Sequence, residues 1–200
     1  MIIRQLGRAP YAETWHAMRH FTEQRQAGQN DELWLVEHPP VYTLGLNGDH
    51  KHILNAGAIP IVQSDRGGQV TYHGPGQLIL YTLLDLNHRQ LGPSGLVKLL
   101  EHAMVSTLKH YGLRARTQPG APGVYIDDQK IGSIGLRIKR GASYHGLSLN
   151  NNMDLRPFTG INPCGYERLT MTQLADFSVH ITTSELAVPL IHAIQQGLRA

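Results

Sequence analysis

The stretch DDQKIGSIGLRIKRGASYHG, residues 127–146, decides the fold class. Asp127-Asp128 supplies hairpin-turn chemistry before Lys130. KIGSIGLRI (130–138) then alternates as a strand, and so do GVYID (123–127) before it and YHGLSLN (144–150) after it. Three strands in close succession favour antiparallel pairing, because parallel partners need a crossover of a dozen or more residues. Gly132 and Gly135 weaken the middle strand, and glycine inside a strand marks the close approach of a ligand or another backbone. Lys130, which opens that strand, would on its own be an ordinary solvated edge lysine.

Outward from this core the same periodicities recur. Residues 2–6, ELWLVEH (32–38), VYTLG (41–45), IPIVQS (59–64), QVTY (69–72) and QLILYTLLDL (77–86) read as strands separated by Pro and Gly signals. Helices are predicted over 11–27, with Pro10 at the start and Trp15, Met18 and Thr22 at helical spacing. A second is predicted over 94–111, where Leu96, Leu99, Leu100, Ala103, Met104, Leu108 and Tyr111 form one apolar face ending at Gly112. A third starts at Thr182, where TTSE offers a capping box with Glu185. The expected fold is α+β (mixed α/β), a largely antiparallel or mixed sheet flanked by helices, in one domain over 1–200.

Composition bounds the function classes. Of 200 residues, 41% are hydrophobic and 16% charged, enough apolar content for a core. No run approaches the ~20 apolar residues of a membrane span. The start, MIIRQLGRAP, lacks a signal-peptide pattern. A net charge of +3 is too small to argue nucleic acid. The densest basic cluster, Arg137, Lys139 and Arg140, suits an acidic protein partner or a solvated edge. One cysteine forms no internal disulfide, which fits a reducing compartment, so a soluble cytoplasmic protein is expected. His16 and His20 stand i, i+4, but Ala17 occupies the position where a zincin has Glu, so no metal site is expected. His38, His50 and His52 read as loop or surface residues.

Two loops frame candidate chemistry. DRGGQVTYHGPGQ (65–77) combines backbone freedom at Gly67 and Gly68, a forced turn at Gly74-Pro75-Gly76, and the side chains of Arg66 and His73. It reads either as two turns around a short strand or as a slot with backbone N–H donors and a titratable imidazole. His145-Gly146 repeats the His73-Gly74 corner. INPCGYERLT (161–170) holds Cys164 between Pro163 and Gly165. A free cysteine is usually a buried, inert thiol. A loop setting argues for function, and Gly165 would leave a backbone N–H open to an oxyanion.

RGGQVTYHGPGQ, KIGSIGLRI, YHGLSLNNNMDL and INPCGY resemble, in order over about residues 30–175, the lipoyl(octanoyl) transferases of the biotin/lipoate protein ligase-like superfamily. The resemblance implies the transfer of an octanoyl group from octanoyl-acyl carrier protein to a lysine of lipoyl domains, those of 2-oxoacid dehydrogenase E2 subunits and of the glycine cleavage H protein. It implies no cofactor, metal, nucleic acid or membrane. It makes Cys164 the acyl-thioester nucleophile and Lys130 its proton partner. It places Arg66, Gly67, Gly68, Gln69, Val70, Thr71, Tyr72 and His73, then Ser133, Ile134 and Gly135, then His145, Gly146 and Leu147, around the acyl group. The alternatives are an ATP-dependent lipoate–protein ligase of the same fold, which needs no such cysteine, and a Cys–His hydrolase using His73 or His145.

Overall fold

The computed structural model describes residues 1–199. The expected strands and helices form in the order β1 (Ile2–Arg8), α1 (Tyr11–Glu23), β2 (Glu32–Glu37), β3 (Val41–Leu44), β4 (Ile61–Gln63), β5 (Thr71–His73), β6 (Gln77–Leu83), α2 (Pro93–His110), β7 (Arg116–Thr117), β8 (Gly123–Ile126), β9 (Gln129–Lys139), β10 (Ala142–Asn150) and α3 (Thr183–Gly197). The short strand β7 has too little sequence to show a period and was not foreseen. Helix α1 stops at Glu23 rather than 27, before the polar, glycine-containing run that leads to Gly28.

Two sheets result instead of one. The large sheet runs β1-β2-β6-β10-β9-β8-β7, with β1 parallel to β2 and its other pairings antiparallel. The small sheet runs β4-β3-β5, with β3 parallel to β4 and antiparallel to β5. The mixed, largely antiparallel expectation holds. β6 reads as a nearly unbroken apolar run because it is central: all of its residues are buried.

Each face of the large sheet has its own core. Leu80, Leu147 and Leu149 pack with Leu96, Leu100 and Met104 of α2 and with Leu186, Leu190 and Ile194 of α3. Trp34, Ile79, Tyr81, Leu83 and Tyr144 pack with Met18 of α1 on the opposite face. A third cluster, with Tyr42, Leu44, Tyr72, Met153 and Phe158, underlies the small sheet. The capping box at α3 is present, Thr182 accepting from the Glu185 amide while the Glu185 carboxylate accepts from the Thr182 amide. No described helix is long and apolar enough to cross a membrane.

Candidate active site

A trough opens on the α1-side face of the large sheet because small residues meet there. Ser133 stands opposite Ser148 across β9 and β10, and Gly135 opposite Gly146. The same β10 residues face Ile79 and Tyr81 of β6. Alternation puts every second residue on one face, so paired glycines and serines leave a channel where larger side chains would fill it. The 65–70 loop lies across this channel. A Cβ on Gly135 would come within 3.1 Å of the Arg66 side chain and 3.3 Å of the Gly67 carbonyl, so a larger residue there would press on the loop. The cavity encloses about 500 Å³ of space, open solvent at its mouth included.

Residues 66–71 and His73 line one wall, and Ser133, Ile134, Gly135, His145, Gly146 and Leu147 line the other. Cys164 lines the cavity as well. Tyr72 does not: strand alternation turns its ring to Tyr42 and Phe158 in the small-sheet core. Tyr11, Ile79, Tyr81 and Ser148 complete the lining and were not foreseen. Ser148 was within reach of a period-two argument from Gly146, whereas Tyr11 comes from a distant helix.

The cavity's polar groups are fixed by bonds that sequence could not supply. Arg66 is buried, with Nε donating to Thr43 Oγ1 (3.1 Å), one terminal nitrogen to the Thr43 carbonyl (2.5 Å) and Oγ1 (2.9 Å), and the other to the Gly67 carbonyl (2.8 Å). Burial lowers its pKa, yet guanidinium stays charged in proteins. None of its bonds reaches a carboxylate among the described residues. Gln77 Nε2 donates to Asn150 Oδ1 (2.9 Å), so Gln77 Oε1 accepts from His73 Nδ1–H (2.7 Å), leaving Nε2 for the Thr43 hydroxyl (3.3 Å). Burial, with His38 nearby, pushes His73 down to about 3. The titratable imidazole of the sequence reading is therefore a neutral, fixed ring near pH 7.

His145 Nε2–H donates to Asp65 Oδ1 (3.0 Å). Burial lowers the His145 pKa despite that carboxylate. Asp65 also accepts from Trp15 (2.8 Å) and Tyr144. Burial works against its charge, but the bonds from His145, Tyr144 and Trp15 hold it well below the usual carboxylate range. His38, expected at the surface, is fully buried: Nδ1–H donates to the Ala9 carbonyl (2.6 Å), and Nε2 accepts from Tyr81 (2.7 Å). Lys139 of the basic cluster is spent on Glu23 (2.6 Å), because α1 packs beside β9 and β10.

Cys164 and Lys130 meet, although 34 positions separate them. Lys130 Nζ donates to Cys164 Sγ (3.2 Å) and to the Pro122 carbonyl (2.9 Å), 5.4 Å from the centre of the Tyr125 ring. Lys130 is 1% exposed, so the solvated-edge alternative is overturned. The segment after the cysteine loop clamps its backbone: the Lys130 amide donates to the Thr170 carbonyl (2.9 Å), and the Lys130 carbonyl accepts from the Thr172 amide (3.0 Å). Burial works against the ammonium, but the neighbouring Cys164 sulfur and Tyr125 oxygen outweigh it, and the Lys130 pKa is raised. Lys130 is thus held as an ammonium at neutral pH, 3.2 Å from the sulfur it faces.

The cysteine loop is held by its own backbone. The Cys164 amide donates to the Val70 carbonyl (3.0 Å) and the Gly165 amide to the Asn162 carbonyl (2.9 Å). The expectation of an open Gly165 donor for an oxyanion is therefore corrected. Cys164 itself sits in the left-handed region (φ 57°, ψ 14°) and is partly exposed, reachable from the cavity.

The Lipoyl protein ligase A/B catalytic domain family matches residues 10–195. The octanoyltransferase of Methylococcus capsulatus is 54% identical over 197 residues, covering 98% of this chain and 95% of that one. The octanoyltransferase of Laribacter hongkongensis is 54% identical over 198 residues, covering 99% and 96%. In fold, the crystal structure of lipoate-protein ligase A bound with ATP superimposes with a TM-score of 0.79 at 18% identity, covering 100% of this chain and 86% of that one. Biotin protein ligase from Aquifex aeolicus gives 0.56 at 11%, covering 100% and 69%. With the match spanning nearly the whole chain, this protein belongs to the lipoyl protein ligase A/B catalytic domain family.

Proposed function

We propose that this single-domain chain is an acyltransferase that moves an octanoyl group onto a lysine of a lipoyl domain, in lipoate biosynthesis, through a thioester on Cys164. The observation that carries the reading is the Cys164–Lys130 pair, 3.2 Å apart, on a cavity with few charged groups. Identity of 54% to octanoyltransferases over nearly the full length, against 18% to the ligase, favours transfer over ATP-dependent ligation. Octanoyl-acyl carrier protein is the donor. The acceptors are the lipoyl domains of 2-oxoacid dehydrogenase E2 subunits and the glycine cleavage H protein, in the cytoplasm.

Protons and bonds close in a cycle. The Cys164 thiolate attacks the donor thioester carbonyl, and the carrier's sulfur leaves, taking a proton from the Lys130 ammonium. The products are octanoyl-Cys164, a carrier thiol and neutral Lys130. Exchanging one thioester for another is nearly isoenergetic and needs no ATP. The lipoyl-domain amine then attacks the acyl-enzyme, an amide forms, its proton passes to Lys130, and the Cys164 thiolate leaves. Amide formation from a thioester runs downhill. Arg66–Thr71, His73, Ser133–Gly135 and His145–Leu147 bind the acyl group, whose burial contributes about 0.8 kcal/mol per methylene.

Intact-protein mass spectrometry after mixing with octanoyl-acyl carrier protein tests this. One octanoyl adduct is expected on the Cys164 peptide, lost when an apo lipoyl domain is added. Loading of free octanoate that requires ATP, with full activity in Cys164→Ala, overturns it in favour of a ligase. Rapid release of octanoate without any acceptor overturns it in favour of a hydrolase.

A further inference from the structure

The peptide unit between Pro122 and Gly123 has both of its polar groups engaged, on opposite sides. Its carbonyl, on Pro122, accepts from Lys130 Nζ (2.9 Å). Its N–H, on Gly123, donates to the Glu101 carboxylate (3.0 Å), which reaches over from α2. A peptide unit is planar and rigid, so fixing one end fixes the other. Gly123 adopts φ +130°, and a Cβ there would lie 2.4 Å from the Gly132 carbonyl and 2.7 Å from Lys130 Cε. The plane therefore sits against the lysine stem at a position that only glycine allows. Glu101 is the side chain that holds the Gly123 amide, and its removal would release that end of the plane.

We propose that Glu101 is a positioning residue for the reaction, acting on Lys130 through the Pro122–Gly123 peptide. The chain of charges and dipoles runs Glu101 carboxylate, Gly123 N–H, Pro122 C=O, Lys130 ammonium, Cys164 sulfur. A carboxylate accepting at the N–H polarises the unit and makes its carbonyl a stronger acceptor. That carbonyl is the second anchor of Nζ, and it holds the ammonium within 3.2 Å of Sγ. Glu101 is half-buried on α2, outside the cavity, and touches neither Lys130 nor Cys164 through a hydrogen bond. The inference rests on the proposed roles of Cys164 and Lys130.

The test is the pH dependence of iodoacetamide alkylation of Cys164 in the full-length protein, for wild type, Glu101→Ala, Glu101→Gln and Lys130→Ala. Glu101→Ala is expected to slow alkylation at pH 7 about threefold to tenfold, while keeping the limiting rate at high pH. Glu101→Gln keeps an acceptor for the Gly123 amide and loses the charge, so it is expected to recover part of the loss. The rate of octanoyl-Cys164 formation should fall in parallel. A wild-type profile in Glu101→Ala, with a displaced one in Lys130→Ala, overturns the Glu101 inference and leaves the Cys164–Lys130 pair standing. Wild-type profiles in both overturn the pair itself. If Glu101→Ala does not fold, Glu101→Gln decides: a smaller slowing in the same direction supports the inference, and an unchanged profile overturns it.

Discussion

Cys164 holds its side chain on a left-handed backbone (φ 57°, ψ 14°), a conformation that costs an L-residue roughly 1–2 kcal/mol. The cost is tolerated because the Cys164 amide is tied to Val70 and the following turn to Asn162. Strain of this kind gathers at functional positions, where the surrounding structure over-determines it. Substitution separates strain from chemistry. Cys164→Ala should abolish transfer with little change in stability, because the Cβ and its strain remain. Cys164→Gly should also abolish transfer, yet melt higher than Cys164→Ala by an amount worth up to about 1 kcal/mol, since glycine adopts this φ without strain. Differential scanning calorimetry of the two variants, with an octanoyl-transfer assay, checks this.

At the scale of elements, β9 and β10 do two jobs. Leu136 and Leu149 belong to the core shared with α2 and α3, Ser133, Gly135, Gly146 and Ser148 carve the cavity on the other face, and Ile134 and Leu147 belong to that core while also bordering the cavity. The two glycines differ in what surrounds them. A Cβ at Gly146 would stand 2.1 Å from the Leu80 carbonyl of the neighbouring strand. Backbone inside a sheet has nowhere to go, so Gly146→Ala should destabilise by roughly 2 kcal/mol or more, visible as a lower urea midpoint. A Cβ at Gly135 would stand 3.1 Å from Arg66 Cδ, a side chain able to shift by a few tenths of an ångström. Gly135→Ala should therefore fold with near-native stability but disturb the cavity wall, lowering kcat/KM for octanoyl transfer by about tenfold. Equal loss of stability in both variants would contradict this division.

At the scale of the molecule, buried histidines make the fold acid-sensitive. Burial lowers His38 to about 4, and burial together with His38 lowers His73 to about 3. Above pH ~6.5 both states of the chain leave these rings neutral, and neither contributes. Below it the unfolded chain binds protons that the folded chain refuses, so stability falls as pH drops from ~6.5 toward 4. The depressed carboxylates of Asp65, Glu23 and Asp154 add their loss only below the unfolded value, near pH 4. Urea unfolding should thus show stability declining between pH ~6.5 and ~4.5, before carboxylates titrate, and His38→Gln should flatten that slope even if it lowers stability at neutral pH. A slope unchanged in His38→Gln would contradict the assignment.

The sequence by itself determined the strands other than β7, the three helices, the mixed sheet and the resemblance carried by four motifs, because periodicity, Pro and Gly punctuation and the Thr182–Glu185 cap are local signals. It also marked Cys164, Lys130 and the Arg66–His73 loop as worth testing, though an inert thiol at Cys164 and a solvated lysine at Lys130 stayed open. Tertiary structure alone decided the rest. It split the strands into two sheets, turned Tyr72 into a core, buried His38, engaged Lys139 and closed the Gly165 donor. It brought Tyr11 and Tyr81 to the cavity, Asp65 to His145, and Glu101 to the peptide behind Lys130. The physical reason is range: which face a side chain meets, and which amide finds which acceptor, depends on partners tens of residues away. Lys130 and Cys164 illustrate it, each ordinary in its own segment and 3.2 Å apart once β9 is clamped by residues 170–172.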